Sequence, residues 1–223
     1  MLLRAATAAV AASGVAFCIA CFDPGRNTCF DSNGWDYGYA LGGDTTLVFH
    51  WPADRMPVRF YADATGDLRA NVLSGLNTWV NAFNCQEAEF QLVTDSTTAD
   101  VVVRRADVLP AARAGTVVLA SDSVGVCRGV TEQQIDSALT LTGPFRIFIA
   151  PLGVADSLAR AGCYRMVATH ELGHTLGLFA HSADSADIMY PVPRRSTLSI
   201  DDRYTIQKLY HRAATIQPAP RED

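Results

Sequence analysis

The chain has 223 residues, of which 49% are hydrophobic and 18% are charged, and its formal net charge is −5 at pH 7. This length and composition fit one globular domain with terminal extensions and leave little room for a second full-sized domain. The net negative charge and the lack of a basic stripe argue against nucleic acid as a partner, and we expect a monomer.

Residues 1–20 have the pattern of an export signal. Arg4 is the only charge near the start, and an uncharged run rich in alanine and valine follows it as far as Phe22. A positive start, an apolar run and small residues before a break are typical of a secretory signal. Because the uncharged run reaches the lower limit of about 17 residues for a membrane span, an uncleaved anchor is the alternative.

The cysteines add detail to this prediction. The sequence CIAC, which ends at Cys21, resembles a bacterial lipoprotein signal, in which Cys21 becomes the lipidated first residue of the mature protein. We therefore expect an exported protein that is either secreted or anchored in the bacterial cell envelope, with a lipid on Cys21 as its only contact with a membrane. Four cysteines then remain, enough for two disulfides with three alternative connectivities in an oxidising compartment: Cys29, Cys85, Cys127 and Cys163.

Regular patterns begin at Trp51, after an irregular leader over residues 21–50 that is rich in glycine, aspartate and aromatic residues. Five segments with alternating or clustered apolar residues predict strands: residues 56–63, 89–93, 99–105, 115–121 and 145–150. Between the first two strands, apolar residues recur at intervals of three and four, which predicts an amphipathic helix over residues 66–83. The apolar face of this helix consists of Leu68, Val72, Leu76, Trp79, Val80 and Phe83.

Two further helices are predicted near the C-terminus. The first begins at Asp156 or Cys163 and ends at Leu176, because Gly177 tolerates the left-handed conformation on which helices end. The second follows Ser199, a residue type that caps helices, and two aspartates in its first turn are favoured by the helix dipole.

The order of strands and helices predicts an α+β domain over residues 51–212. We expect a five-stranded, twisted mixed sheet with helices packed on it, and no internal repeat divides the domain. Residues 213–223 are expected to form a flexible tail.

The segment HELGHTLGLFAHSADSADIMYP, residues 170–191, contains three of the five histidines. His170 and His174 are four residues apart, so on a helix they share one face and can bind one Zn²⁺ together. Glu171 lies beside that face, where a carboxylate can take a proton from zinc-bound water. The spacing therefore predicts a catalytic metal site.

A catalytic zinc site usually has three protein ligands, so a third ligand is needed. No glutamate occurs between Glu171 and Glu222, which excludes the zincin class that uses a later glutamate. The nearby candidates are His181, Asp184 and Asp187. His181 is the best nitrogen donor, and it follows a glycine that can turn the chain back towards the helix.

Residues 170–191 resemble the metzincin signature, HExxHxxGxxH followed by a Met-turn, and most closely its matrixin branch. Ala180 stands where the third histidine of the signature is expected, and His181 follows one residue later. From His181 onwards the spacing again matches that of the matrixin signature, and Met189 corresponds to the Met-turn residue. The segments WPADRMPVRFY and LSIDDRYTIQKLY also resemble the opening strand and the final helix of matrixins, so the resemblance covers roughly residues 51–211.

The resemblance implies a zincin-like catalytic domain with an active-site helix and a C-terminal helix. It implies a zinc-dependent endopeptidase that acts on protein or peptide substrates. An extended substrate would add to the edge strand near residues 115–121. The resemblance assigns the zinc ligands and the general base to four residues: His170, His174 and His181 as ligands and Glu171 as the base.

The additional residue before His181 falls after Gly177, where the predicted helix has ended. A loop absorbs one more residue at little cost, because the entropy of loop closure grows slowly with length. Inside the helix, the same insertion would turn His174 away by about 100°. We therefore expect His181 to remain a zinc ligand at the end of a lengthened loop.

The sequence leaves a second metal, the substrate preference and one alternative function open. Structural Ca²⁺ could be bound by aspartates and carbonyl groups, although no EF-hand-like run is present. Pro193 stands where many matrixins have a tyrosine in the wall of the substrate pocket. The alternative function is a surface lipoprotein whose metzincin fold acts as a zinc-containing binding module with little or no turnover.

Overall fold

The computed structural model describes residues 41, 44, 46–111, 116–121 and 127–221. The predicted export signal, the lipid attachment site at Cys21 and the leader cysteine Cys29 lie outside these residues and stay predictions. Within the described ranges, no helix is both long enough and apolar enough to span a bilayer.

The described part of the chain forms eight strands and three α-helices. The strands, in chain order, are β1 Val58–Ala62, β2 Phe90–Leu92, β3 Val101–Arg105, β4 Thr116–Ser121, β5 Arg128–Gln134, β6 Thr140–Leu141, β7 Phe145–Ala150 and β8 Gln217–Pro218. The helices are α1 Leu68–Val80, α2 Ser157–Thr175 and α3 Ile200–Tyr210.

Six of the strands form one mixed sheet in the order β2-β1-β3-β7-β5-β4. Strands β1, β2, β3 and β7 run parallel, whereas β5 is antiparallel to both of its neighbours. Helices α1 and α2 pack against each other and against the sheet. The Trp79 indole of α1 donates a hydrogen bond of 2.8 Å to the Thr169 carbonyl oxygen of α2. The short strands β6 and β8 pair separately.

The structure confirms the α+β class, but the sheet has six strands rather than the five predicted. The additional strand is β5, whose sequence RGVTEQQ shows no apolar alternation. It is extended because β7 on one side and β4 on the other satisfy its backbone groups, which local sequence does not reveal. The predicted apolar face of α1 is buried except at Val80, which is 40% exposed.

The packed domain is longer at both ends than predicted. Val48 and Phe49, assigned to the leader, belong to the hydrophobic core. The segment expected to be a flexible tail is packed as far as Arg221, because Ile216 is buried and β8 pairs with β6. The Arg221 guanidinium also bonds to the Asp100 carboxylate at 2.7 Å. These contacts could not be predicted because their partners are far away along the chain.

A disulfide between Cys127 and Cys163 joins the residue before β5 to helix α2. Cys85 is also disulfide-bonded. Of the three connectivities that the sequence left open, only one contains the Cys127–Cys163 pair. This pair links the strand and the helix that meet at the candidate active site.

Helix α2 begins after Asp156, the earlier of the two predicted starts, and the Asp156 carboxylate caps it. At the other end, Gly177 has a φ of 107°. Its amide donates to the His174 carbonyl oxygen, and the Leu178 amide donates to that of Gly173, both at 3.1 Å. This is the Schellman arrangement, and it fixes the direction in which the chain leaves the helix.

We predict that Gly177→Ala destabilises the protein by about 3 kcal/mol or more. A β-carbon at this position would lie 2.0 Å from the Phe49 carbonyl oxygen, and the positive φ strains any L side chain. Gly66→Ala is the matched control, since Gly66 has a φ of 53° but nothing within 4 Å of its added β-carbon. The control should lose only about 1–2 kcal/mol of unfolding free energy, from the strain of a left-handed backbone. Urea unfolding measures both, and equal losses would contradict the steric argument.

Candidate active site

Three histidine side chains converge at the C-terminal end of α2. The candidate ligand atoms of His170, His174 and His181 all lie within 4.8 Å of one another. The ring centroids are 4.9, 5.2 and 5.0 Å apart in the three pairs. His170 and His174 are fully buried, and His181 is partly exposed at the edge of the cluster. Three imidazoles at these distances could bind a single metal ion.

Backbone carbonyl groups set the orientation of the two buried imidazoles. His170 Nδ1 donates to the Ile188 carbonyl oxygen at 2.7 Å, and His174 Nδ1 donates to that of Leu178 at 2.6 Å. A carbonyl oxygen only accepts, so Nδ1 carries the proton and the Nε2 lone pair is left for a ligand. Both Nε2 atoms are buried and have no hydrogen-bond partner in the described part of the chain.

Burial keeps these imidazoles neutral. Loss of solvation lowers the pKa of His170 to about 3, and the nearby His181 acts in the same direction, whereas the bond to Ile188 opposes both. Burial likewise lowers the pKa of His174, with smaller effects of the same sign from the other two histidines. Since the neutral imidazole is the form that binds metals, both residues are ready for a metal at neutral pH.

The loop after Gly177 accommodates the additional residue before His181. The Ser182 amide donates to the Met189 carbonyl oxygen at 2.9 Å, which closes the loop that follows the histidine. Gly177 fixes one end of the segment and this bond fixes the other. His181 lies between them, and its ring reaches the other two histidines as a lengthened loop predicts.

Met189 packs against the active-site helix. Its side chain is fully buried, and a β-carbon on Gly173 would lie 2.4 Å from the Met189 sulfur and 2.8 Å from Trp79 Cζ2. Gly173 directly precedes His174, so the methionine supports the helix at the position of the histidines. Only glycine leaves room for this contact.

Asp202 of α3 connects the final helix to the histidine cluster. Its buried carboxylate accepts hydrogen bonds from the Ile188 amide at 2.9 Å and the Ser199 amide at 2.7 Å. The Ser199 hydroxyl accepts from the Asp202 amide, which completes a capping box. Because the Ile188 carbonyl oxygen holds His170, the start of α3 positions that imidazole through one intervening residue. The sequence indicated only the helix-capping role of these residues.

Glu171 is fully buried beside the histidines and contacts β5. Its Oε2 atom accepts a hydrogen bond of 2.7 Å from the Thr131 hydroxyl. A β-carbon on Gly129 would lie 2.4 Å from Glu171 Oε1 and 2.4 Å from Val167 Cγ1, so any other residue at position 129 would displace these side chains. Thr131 and Gly129 were not identified from the sequence because β5, the strand that contains them, was not predicted. The one available signal was Gly129, since glycine inside a strand often marks a close approach.

The structure does not place the other candidates at the cluster. The Ser182 hydroxyl donates to the Asp187 carboxylate, and Asp184 turns the chain just before it. Among the described residues, the three histidines are the one group of at least three His, Cys, Asp or Glu side chains close enough to hold a metal. Structural Ca²⁺ therefore stays a prediction without support from these residues.

The arrangement has the parts that metal-assisted hydrolysis requires. Three imidazole nitrogens can hold an ion with a coordination position left open, and a carboxylate lies beside them. The Thr131 hydroxyl holds this carboxylate in place.

Comparison with known proteins agrees with this geometry. The family model of the matrixins, peptidase M10, matches residues 70–211, which is more than half of the chain. Stromelysin-2 of Rattus norvegicus is 49% identical over 65 residues, which cover 25% of this chain and 13% of the relative. Matrix metalloproteinase-26 of Homo sapiens is 52% identical over 50 residues, with 20% of this chain and 19% of the relative covered.

Human matrilysin is 52% identical over 48 residues, which cover 19% of this chain and 18% of the relative. In each of these three comparisons, the matched segment spans less than a fifth of the relative. The family model extends the match through both α2, with its histidines, and α3. The chain belongs to the matrixin family.

Proposed function

We propose that the chain is a zinc-dependent endopeptidase that acts on proteins or peptides. The observation that supports this most strongly is the convergence of the candidate ligand atoms of three imidazoles, all within 4.8 Å of one another, beside a buried carboxylate. His170, His174 and His181 are the proposed ligands. When bound, Zn²⁺ supplies Lewis-acid polarisation of the scissile carbonyl and lowers the pKa of a water molecule to about 7.

In this proposal, Glu171 takes the proton from the attacking water and later returns it to the leaving amine. The Thr131 hydroxyl holds Oε2 of the carboxylate at 2.7 Å, which limits the rotation of the side chain. Such fixing of a base reduces the number of unproductive orientations before reaction. Thr131 is therefore a positioning residue in the proposal and Glu171 the catalytic one.

The binding-module alternative loses its main support in the structure. It depended on the displacement of the third histidine by one residue, yet His181 lies with the other two. A buried glutamate held beside the cluster is also unnecessary for a site that only binds. Turnover is the function that these contacts favour.

We further propose that the protein is exported, and that it is either secreted or attached to the bacterial envelope by a lipid on Cys21. The disulfide between Cys127 and Cys163 supports export, since such bonds persist in oxidising compartments. Strand β4 lies at an edge of the sheet, next to the strand that contacts Glu171. An extended substrate could add to this edge.

The first prediction concerns metal content. The full chain should hold about one Zn²⁺ after dialysis. His181→Ala should weaken zinc binding by at least about 100-fold, because even the loss of a hydrogen-bonding partner behind a metal ligand lowers the metal affinity by about 10–100-fold. His211→Ala is the control, since His211 is paired with Glu87 away from the cluster. Competition with a chelator measures the affinities. Unchanged zinc affinity in His181→Ala would exclude this residue as a ligand.

A second prediction separates the base from the metal. Glu171→Gln preserves the shape of the side chain but removes its basicity, so the rate of cleavage should fall by about 10²–10⁴-fold. Zinc content should stay the same. Cleavage of an unstructured protein by zinc-loaded samples measures the effect, and a variant that retains its full rate would show that Glu171 is not the base.

A third prediction concerns Thr131. Thr131→Val removes the hydroxyl at nearly constant volume, and kcat should fall by about 10-fold because a hydrogen bond to a charged group contributes about 1.5–3 kcal/mol. KM and zinc affinity should change little. Thr131→Ser retains the hydroxyl and should keep most of the rate. If serine and valine reduce kcat equally, the hydroxyl does not position Glu171.

A further inference from the structure

A cavity of about 350 Å³ lies at the amino ends of β1, β3 and β7. The C-terminal segment forms one of its walls. Its lining includes three arginines from distant parts of the chain, Arg55, Arg59 and Arg221, and none of the residues of the candidate active site. We call this space the arginine cavity.

One carboxylate is shared by the three guanidinium groups. Asp100 lies 3.4 Å from Arg55 Nη2, 3.5 Å from Arg59 Nε and 2.7 Å from Arg221 Nη2. Among the described residues, no other acidic side chain lines the cavity. Three positive charges and one negative charge therefore leave a local excess of two positive charges in a partly buried wall.

Asp100 has no capacity left for further donors. Besides the arginine contacts, its Oδ2 accepts from the Arg59 amide at 2.7 Å, and Arg221 Nε donates to Oδ1 at 3.3 Å. A carboxylate offers about four lone-pair sites, and these contacts occupy them. Arg55 Nε and Arg59 Nε are buried and have no hydrogen-bond partner in the described part of the chain. Two of the arginines that line the cavity thus have guanidinium groups whose donors are not all satisfied.

Burial of the charge acts on Arg55 in particular. Loss of solvation is the largest effect that lowers the pKa of Arg55, and repulsion from Arg221 adds to it, while Asp100 opposes both. A guanidinium stays protonated despite this, so its charge has to be balanced by a neighbouring anion. Asp100 supplies only one negative charge to all three arginines.

We propose that the arginine cavity binds a tetrahedral oxyanion, namely a phosphate or sulfate group. Such a dianion matches the excess of two positive charges, whereas a carboxylate would leave one of them unbalanced. Guanidinium groups bind these oxygens in pairs through parallel N–H donors. The cavity is larger than the anion alone, and Trp51, Leu141 and Pro144 line the remainder, which suits a small organic phosphate monoester.

Binding would be coupled to the C-terminal segment, because Arg221 belongs to it. The same guanidinium donates to the carbonyl oxygens of Arg55 at 2.8 Å and Pro57 at 3.0 Å, so it holds the segment against the residues just before β1. An anion that engages Arg221 therefore strengthens this attachment. The proposal is independent of the proposed peptidase activity.

The test uses the full, zinc-loaded chain with its disulfides intact. Inorganic phosphate and sulfate are titrated in a calorimeter at ionic strength held constant with sodium chloride. We expect saturable binding of one anion with a Kd at or below the millimolar range, and at least 10-fold weaker binding of acetate. Thermal unfolding should shift upwards with phosphate in parallel with the binding curve.

Arg59→Gln should weaken binding by at least 10-fold. Arg59 is the most exposed of the three arginine side chains, at 29%, so its replacement disturbs the fold least. Arg59→Lys keeps the charge but removes the paired donors, and a several-fold loss is expected. Arg105→Gln is the matched control, because Arg105 is 41% exposed and pairs with Asp107 away from the cavity.

Two results would overturn the proposal. The first is the absence of saturable binding above the sodium chloride background. The second is an equal loss in Arg59→Gln and Arg105→Gln, which would indicate nonspecific attraction to positive charge. Acetate that binds as tightly as phosphate would overturn the assignment to a dianion.

Discussion

The hydrogen bond from the Ile188 amide to the Asp202 carboxylate is the contact on which the candidate site depends most. It fastens the loop that follows the histidines to the first turn of α3, at 2.9 Å. The carbonyl group of the same residue, Ile188, holds the His170 imidazole. A fully buried carboxylate in this position is stable only while its donors are present. Loss of one of these bonds would therefore weaken the helix cap, the loop and the orientation of His170 together.

The other histidines are positioned by the end of α2. Gly177 ends the helix in a left-handed conformation, and the bonds of the Schellman turn bring Leu178 back beneath His174. From there the loop is free to differ in length, because its far end is fixed by Ser182 and Met189. A family signature can therefore vary by one residue in this loop while the three imidazoles still meet.

The sequence predicted the parts of the site that depend on local periodicity. Two histidines four residues apart, a glycine at the helix end and Ser199 as a cap each follow from helix geometry. Thr131 could not be predicted, because β5 is extended only through its neighbours and its own sequence is polar. The packing of Arg221 was missed for the same reason, since its partner Asp100 lies more than one hundred residues earlier in the chain.

The cross-link between Cys127 and Cys163 bridges the two elements whose contact holds Glu171. Cys127 directly precedes β5, the strand that contains Gly129 and Thr131. Cys163 lies two turns before Glu171 on α2. In a reducing cytosol this covalent connection would be missing, and the strand would be held to the helix by noncovalent contacts alone. If the protein is exported as proposed, the disulfide would form only after export, and it would then rigidify the contact between β5 and α2 that holds Glu171.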